Sequence, residues 1–123
     1  MRPFGVFFFR EEYMYSIDPK TNNITLVRGD YFACSISMTK DDVPFVPTDG
    51  TLRFAVKRKY TDDDAKVLIV KQVPLDTMLL ELESADTKDL RFGEYVYDIE
   101  YTDPLGRPDT FIRAKLILAE EVI

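Results

Sequence analysis

The sequence predicts an all-β fold, an antiparallel sandwich of seven to nine strands, and three observations predict it. Apolar and polar residues alternate with period two over several short runs, the pattern of a strand with one face buried. Clusters of Gly, Pro, Asp and Asn interrupt these runs about every 8–12 residues, too closely for strand–helix–strand units. A single helical turn is followed at once by a strand with tyrosine at alternate positions. At 123 residues the chain suits one domain, and at 46% hydrophobic it can bury a core without a metal or a disulfide.

Taken in order, residues 1–23 stand apart as an N-terminal arm dense in aromatics, and residues 24–123 form the sandwich domain. Phe4, Val6, Phe7, Phe8, Phe9, Tyr13 and Tyr15 give the arm an apolar character that sits poorly in water. Three readings remain open for it: an extra strand folded on its own sandwich, a segment docked on a neighbouring subunit, or a disordered arm. Those seven residues are the candidate subunit interface. The apolar run ends at Phe9 and charges follow at Arg10, Glu11 and Glu12, without a small-residue cleavage site, so it does not read as a signal peptide.

After a turn-rich break at Asp18-Pro19, strands are expected at Ile24–Val27 and Tyr31–Thr39, with Arg28-Gly29-Asp30 bending one into the other. Phe32, Cys34, Ile36 and Met38 form the apolar side of the second. Lys40-Asp41-Asp42 is a polar turn and Thr48-Asp49-Gly50 another. Further strands are expected at Thr51–Lys59, Lys66–Val73, Thr77–Glu83, 94–102 and Phe111–Val122. Asp103-Pro104-Leu105-Gly106 is a tight hairpin turn with proline at its second position. The expected core is Phe32, Ile36, Leu52, Phe54, Val56, Ile69, Leu80, Leu82, Ile99 and Leu116.

The short helical turn precedes the strand at 94–102. Asp86 is its expected N-cap, Leu90 and Phe92 plug the edge of the sandwich, and Gly93 supplies the positive φ that ends the turn. Tyr95, Tyr97, Ile99 and Tyr101 then share one face. A helical turn leading into a Gly-x-Tyr strand resembles the tyrosine-bearing corner of immunoglobulin-like domains.

Four pieces carry a resemblance to a known family: Ile24 to Phe32 (Ile-Thr-Leu-Val-Arg-Gly-Asp-Tyr-Phe), Leu52 to Lys57, Ala85-Asp86-Thr87 with Leu90 and Phe92 to Ile99, and the final Glu120-Glu121-Val122. In order and spacing they resemble the N-terminal immunoglobulin-like domain of baseplate upper proteins of phages that infect Gram-positive bacteria, over about residues 24–122. The aromatic arm is not part of that pattern. The resemblance implies a non-enzymatic structural part of a phage or prophage particle, in its tail or baseplate. Its partners would be other particle proteins and copies of itself, and it would be made in the bacterial cytoplasm and located in the virion.

The chemistry written in the chain is sparse. The net charge is −6, which disfavours nucleic acid and anionic membrane as partners. There is no histidine, so the commonest general base and metal ligand are missing. The single cysteine, Cys34, falls on the apolar side of a strand and reads as an inert buried thiol. Asp62-Asp63-Asp64 and Asp41-Asp42 lack the spacing of a calcium loop and read as solvated acidic turns. Glu81, Glu83, Glu94, Asp98 and Glu100 alternate with inward apolar residues, which makes them a solvent face rather than a glycosidase carboxylate pair. Lys57, Arg58 and Lys59 are too short a basic run for nucleic acid. No catalytic residue, cofactor, metal or small-molecule substrate is assigned. The alternative to an assembly part is a carbohydrate-binding module for a host surface glycan, with Tyr95, Tyr97 and Tyr101 as stacking candidates, although tyrosine on a sandwich strand more simply belongs to the core.

Overall fold

Two facing β-sheets enclose the apolar residues of the alternating runs. The computed structural model describes the backbone of residues 4–10, 15–18 and 20–120, and the side chains of 17, 18 and 20–120. In chain order the elements are β1 (Phe4–Arg10), β2 (Tyr15–Ile17), β3 (Ile24–Val27), β4 (Phe32–Lys40), β5 (Val43–Phe45), β6 (Thr51–Lys57), β7 (Ile69–Val73), β8 (Leu79–Leu82), α1 (Ser84–Thr87), β9 (Gly93–Thr102) and β10 (Pro108–Ala119). A single 3-10 turn, Asp64–Lys66, lies between β6 and β7.

The smaller sheet is built on β4. β1 pairs antiparallel with residues 34–40 of β4 along one edge. β5 pairs with 38–40 and β8 with 32–35, so these two share the other edge. The larger sheet runs β2-β3-β10-β9-β6-β7, antiparallel throughout except that β3 lies parallel to β10. This order resembles that of an immunoglobulin-like sandwich. The last two strands, β9 and β10, share a sheet with β6 and β7, β4 and β8 face them, and the chain's first strands are split between the sheets. The all-β sandwich expected from the sequence is the observed fold. The described residues form ten strands where seven to nine are expected, and the parallel β3–β10 pair departs from a wholly antiparallel sandwich.

All ten residues of the expected core are buried. Tyr95, Tyr97 and Phe111 join them as large buried side chains. Each inward tyrosine of β9 meets the requirement for a polar partner by donating its hydroxyl to a backbone carbonyl: Tyr95 to Arg91 O at 2.7 Å, Tyr97 to Asn22 O at 2.5 Å and Tyr101 to Asp49 O at 2.7 Å. The Tyr95 bond, four residues back across the turn, is the tyrosine corner. In β10 the register shifts between Thr110 and Ile112, and both Phe111 and Ile112 are buried. A bulge releases the strand from strict alternation, and Phe111 uses it to stack on Phe45 and meet Tyr101 edge-on.

Several local expectations are corrected. Glu83, not Asp86, caps α1: the Glu83 side chain accepts from the backbone of Asp86, and the Asp86 carboxylate accepts from the Glu83 N–H at 2.7 Å. Asp86 is thus the second half of a capping box. Leu90 packs against the core, but Phe92 is 43% exposed and is no plug. Its ring lies 4.1 Å from the Arg28 guanidinium carbon, and Arg28 also donates to Leu90 O at 3.1 Å. The strand expected at Lys66–Val73 begins only at Ile69, because the 3-10 turn occupies its start. The one expected at Thr77–Glu83 shrinks to Leu79–Leu82, with Met78 at φ +52 just before it. β10 starts at Pro108, earlier than expected, and residues 121–123, which include the expected strand end at Val122, lie outside the described residues.

Candidate functional site

Outward positions on β6, β9 and β10 build the site. Arg53, Ala55 and Lys57 alternate with the buried Leu52, Phe54 and Val56 along β6, and Val96, Asp98 and Glu100 alternate with the tyrosines and Ile99 of β9. The register aligns them in rows: Ala55, Asp98 and Arg113 stand side by side across three strands, and Arg53, Glu100 and Thr110 form the next row. Ala55 is the shortest side chain in this patch, and its position lowers the floor beside Asp98.

The segment after β6 folds back over this face. Lys57 Nζ donates to Asp64 Oδ1 at 2.8 Å and to Asp62 O at 3.1 Å, which ties the acidic turn to the sheet. Tyr60 reaches past β9 to donate its hydroxyl to Ala114 O at 3.0 Å, and the Arg113 guanidinium lies 4.2 Å from the centroid of its ring. Between this strap and the sheet runs an open groove of about 350 Å³, lined by Arg53, Ala55, Lys57, Tyr60, Asp98 and Glu100 among others.

The electrostatics of the groove are balanced but loosely paired. Arg53 Nη2 stands 3.7 Å from Asp98 Oδ1 and 3.5 Å from Glu100 Oε1, at or beyond the limit of a good hydrogen bond. Arg53 Nε and Asp98 Oδ1 are both buried and make no hydrogen bond with the described residues. Burial pushes the Asp98 carboxyl above its usual range, and outweighs the opposite pull of Arg53, Lys57 and Arg113. Asp64 is held below its usual value by the hydrogen bond and charge of Lys57.

Of the residues singled out from the sequence, Tyr97 and the charges Lys57, Asp64, Asp98 and Glu100 line this groove, and the others do not. For Phe4, Val6, Phe7, Phe8 and Phe9 the backbone lies in β1, and for Tyr15 in β2, where it pairs with Leu26. Their side chains and the whole of Tyr13 lie outside the described residues. Tyr95, Tyr97 and Tyr101 are buried, so they cannot serve as a sugar-stacking platform. Cys34 is fully buried and its thiol is pushed well above the ordinary range by burial, which keeps it protonated and unreactive. Arg28-Gly29-Asp30 forms a turn closed by Asp30 N to Val27 O at 3.1 Å, and Gly29 N donates to the buried Thr87 Oγ1 at 2.8 Å. Those three residues therefore join the β3–β4 turn to the tyrosine corner. Among the described residues, no three His, Cys, Asp or Glu side chains gather as metal ligands would.

Sequence reasoning missed the groove as a site. Asp98 and Glu100 are expected on a solvent face; they lie on the outward face of β9, but half-buried. What was lacking is the pairing of β6 with β9, which sets Arg53 beside both carboxylates. No protein-family model matches this chain, and no curated protein matches it.

Proposed function

We propose that this protein is a non-enzymatic assembly part of a phage or prophage particle, in the tail or baseplate, acting through contacts with particle proteins and with copies of itself. The observation that supports this most is the placement of three consecutive phenylalanines on an edge strand. Neighbouring residues of a strand belong to opposite faces. In the β1–β4 register Phe8 stands opposite Ile36, a core position, whereas Phe7 and Phe9 stand opposite Ser37 and Ser35, on the other face of β4. Phe7 and Phe9 thus hold the register positions paired with the half-buried, outward serines of β4. β1 also ends its sheet on that side among the described residues, so its outer backbone N–H and C=O groups are available to a neighbouring strand. Near the β4–β5 hairpin, Val43 is 62% and Val46 70% exposed, which adds apolar surface outside the sandwich. The four-piece resemblance to baseplate upper proteins supplies the particle, and a chain without histidine suits a part that does no acid–base chemistry.

Sedimentation analysis of the wild-type chain against the double variant Phe7→Ser/Phe9→Ser tests the contact. The wild type should self-associate, and the variant should sediment as a monomer with an unchanged circular dichroism spectrum. A monomeric wild type that is also absent from the proteome of purified phage particles of its bacterial source would overturn the reading.

A further inference from the structure

We propose that the groove on the outer face of the six-stranded sheet binds a neutral, hydroxyl-rich ligand, a saccharide, between Arg53, Asp98 and Tyr60. This site is independent of the assembly surface, which involves β1 and the other sheet.

The charges of the groove select the class of ligand. Three cations, Arg53, Lys57 and Arg113, face three carboxylates, Asp64, Asp98 and Glu100. Lys57 is committed to Asp64 at 2.8 Å, and Arg113 to the Tyr60 ring. A phosphate or sulfate would have to compete with internal carboxylates for Arg53, and a metal or ammonium ion would meet Arg53 in front of Asp98 and Glu100. A neutral ligand meets neither obstacle.

The hydrogen-bonding needs of the groove then narrow that class. A donor, Arg53 Nε, and an acceptor, Asp98 Oδ1, are buried side by side without a hydrogen-bond partner among the described residues. Buried polar atoms of this kind call for a partner that the protein itself does not supply. A hydroxyl group is the small group that both donates and accepts, and two hydroxyls on adjacent carbons can donate to the carboxylate and accept from the guanidinium at once. Arg53 Nη2 and Asp98 Oδ1, 3.7 Å apart, are too distant to hydrogen-bond each other, and about a third of each side chain is exposed.

Shape agrees with this chemistry. Tyr60 is 43% exposed and held by its hydroxyl to Ala114 O; the Arg113 guanidinium stacks on one face of its ring, and the exposed remainder gives a fixed aromatic edge against which the C–H groups of a sugar can pack. Ala55 keeps the floor open beside Asp98. The volume of about 350 Å³ falls at the small end of ligand sites, room for one or two rings and for weak binding.

The test uses the full chain, on an array of bacterial surface glycans and in amide NMR titrations with the methyl glycosides of galactose, glucose and N-acetylglucosamine. At least one sugar should produce saturable shifts at Arg53, Ala55, Tyr60 and Asp98. Asp98→Asn, which removes the charged acceptor, and Ala55→Leu, which fills the floor, should each weaken binding by about tenfold or more, the equivalent of one hydrogen bond. An array without retained glycans together with flat titrations would overturn the proposal. So would shifts on another face, shifts that survive both variants, or a groove that responds only to inorganic phosphate or to a peptide.

Discussion

Gly50 and Gly93 share a backbone conformation that L side chains avoid, at φ +91 and +128, in opposite surroundings. A Cβ added at Gly93 would meet nothing within 4 Å, whereas one at Gly50 would lie 2.4 Å from Thr102 O and 2.9 Å from the Tyr101 hydroxyl. The first neighbour is backbone, the carbonyl of Thr102 in the end pair of the β6–β9 ladder, and cannot rotate aside as a side chain could, and the second is held by its bond to Asp49 O. Replacing either glycine by alanine incurs the conformational cost of about 1–3 kcal/mol for a non-glycine residue in this region. At Gly50 the overlap adds about 1–3 kcal/mol, the usual cost of forcing extra volume into packed structure. Gly93→Ala should therefore lower stability by about 1–3 kcal/mol and Gly50→Ala by about 2–6 kcal/mol. Urea unfolding followed by tyrosine fluorescence, with equal slopes for the three proteins, measures both. If Gly93→Ala cost as much as Gly50→Ala, the close approach of residue 50 to β9 would be wrong. If Gly93→Ala cost nothing, the positive-φ release into the tyrosine strand would be wrong.

Two further outcomes follow from the tyrosines and from Asp98. Tyr97→Phe should destabilise more than Tyr95→Phe in the same urea assay, because Tyr97 bonds Asn22 O from a fully buried side chain, while Arg91, which supplies the Tyr95 acceptor, is an exposed residue whose carbonyl can turn to water. We expect about 1–3 kcal/mol for Tyr97 and about 0.5–1.5 kcal/mol for Tyr95, and the reverse order would refute this reading of the corner. Burial raises the Asp98 pKa in the folded state, so the stability Asp98 contributes is full below the unfolded carboxyl value near 3.8 and is lost as pH rises through the folded value. Asp98→Asn fixes the neutral form, so its unfolding midpoint should match the wild type at low pH and exceed it increasingly above pH 3.8; an advantage that shrinks with rising pH would contradict the burial argument.

The fold was legible because the chain states its core by period. Phe32, Ile36, Leu52, Phe54 and Leu116 declare which face of their strands turns inward, and hydrophobic burial enforces it at about 1.5–3 kcal/mol per large side chain. The corner was legible in kind, from the helical turn, Gly93 and the tyrosines, but not in detail. Asp86 passes for an N-cap because a carboxylate suits either the cap or the third residue of a helix, and only the backbone at Glu83, φ −85 and ψ 161, decides between them. Phe92 passes for a plug because an aromatic beside a core leucine is expected to be buried. What draws it outward is the Arg28 guanidinium, 64 residues earlier in the chain, brought there by the turn that Gly29 and Thr87 hold in place.

The groove was illegible for a different reason, which bears on how sites arise in sandwiches generally. Outward residues of a strand show up in sequence only as polarity, and Arg53, Asp98, Glu100 and Arg113 are each ordinary solvent-face choices. Their chemistry depends on register: a one-residue slip of β6 against β9 would turn every side chain of β6 to the opposite face and separate Arg53 from both carboxylates. That register is set from the inside, by Leu52, Phe54 and Val56 standing opposite Tyr101, Ile99 and Tyr97. The buried face thus fixes the geometry of the exposed one. A variant that loosens the packing of Phe54 on Tyr97, whose rings lie 5.1 Å apart, acts on the groove as well as on stability, although neither ring belongs to the charged rows.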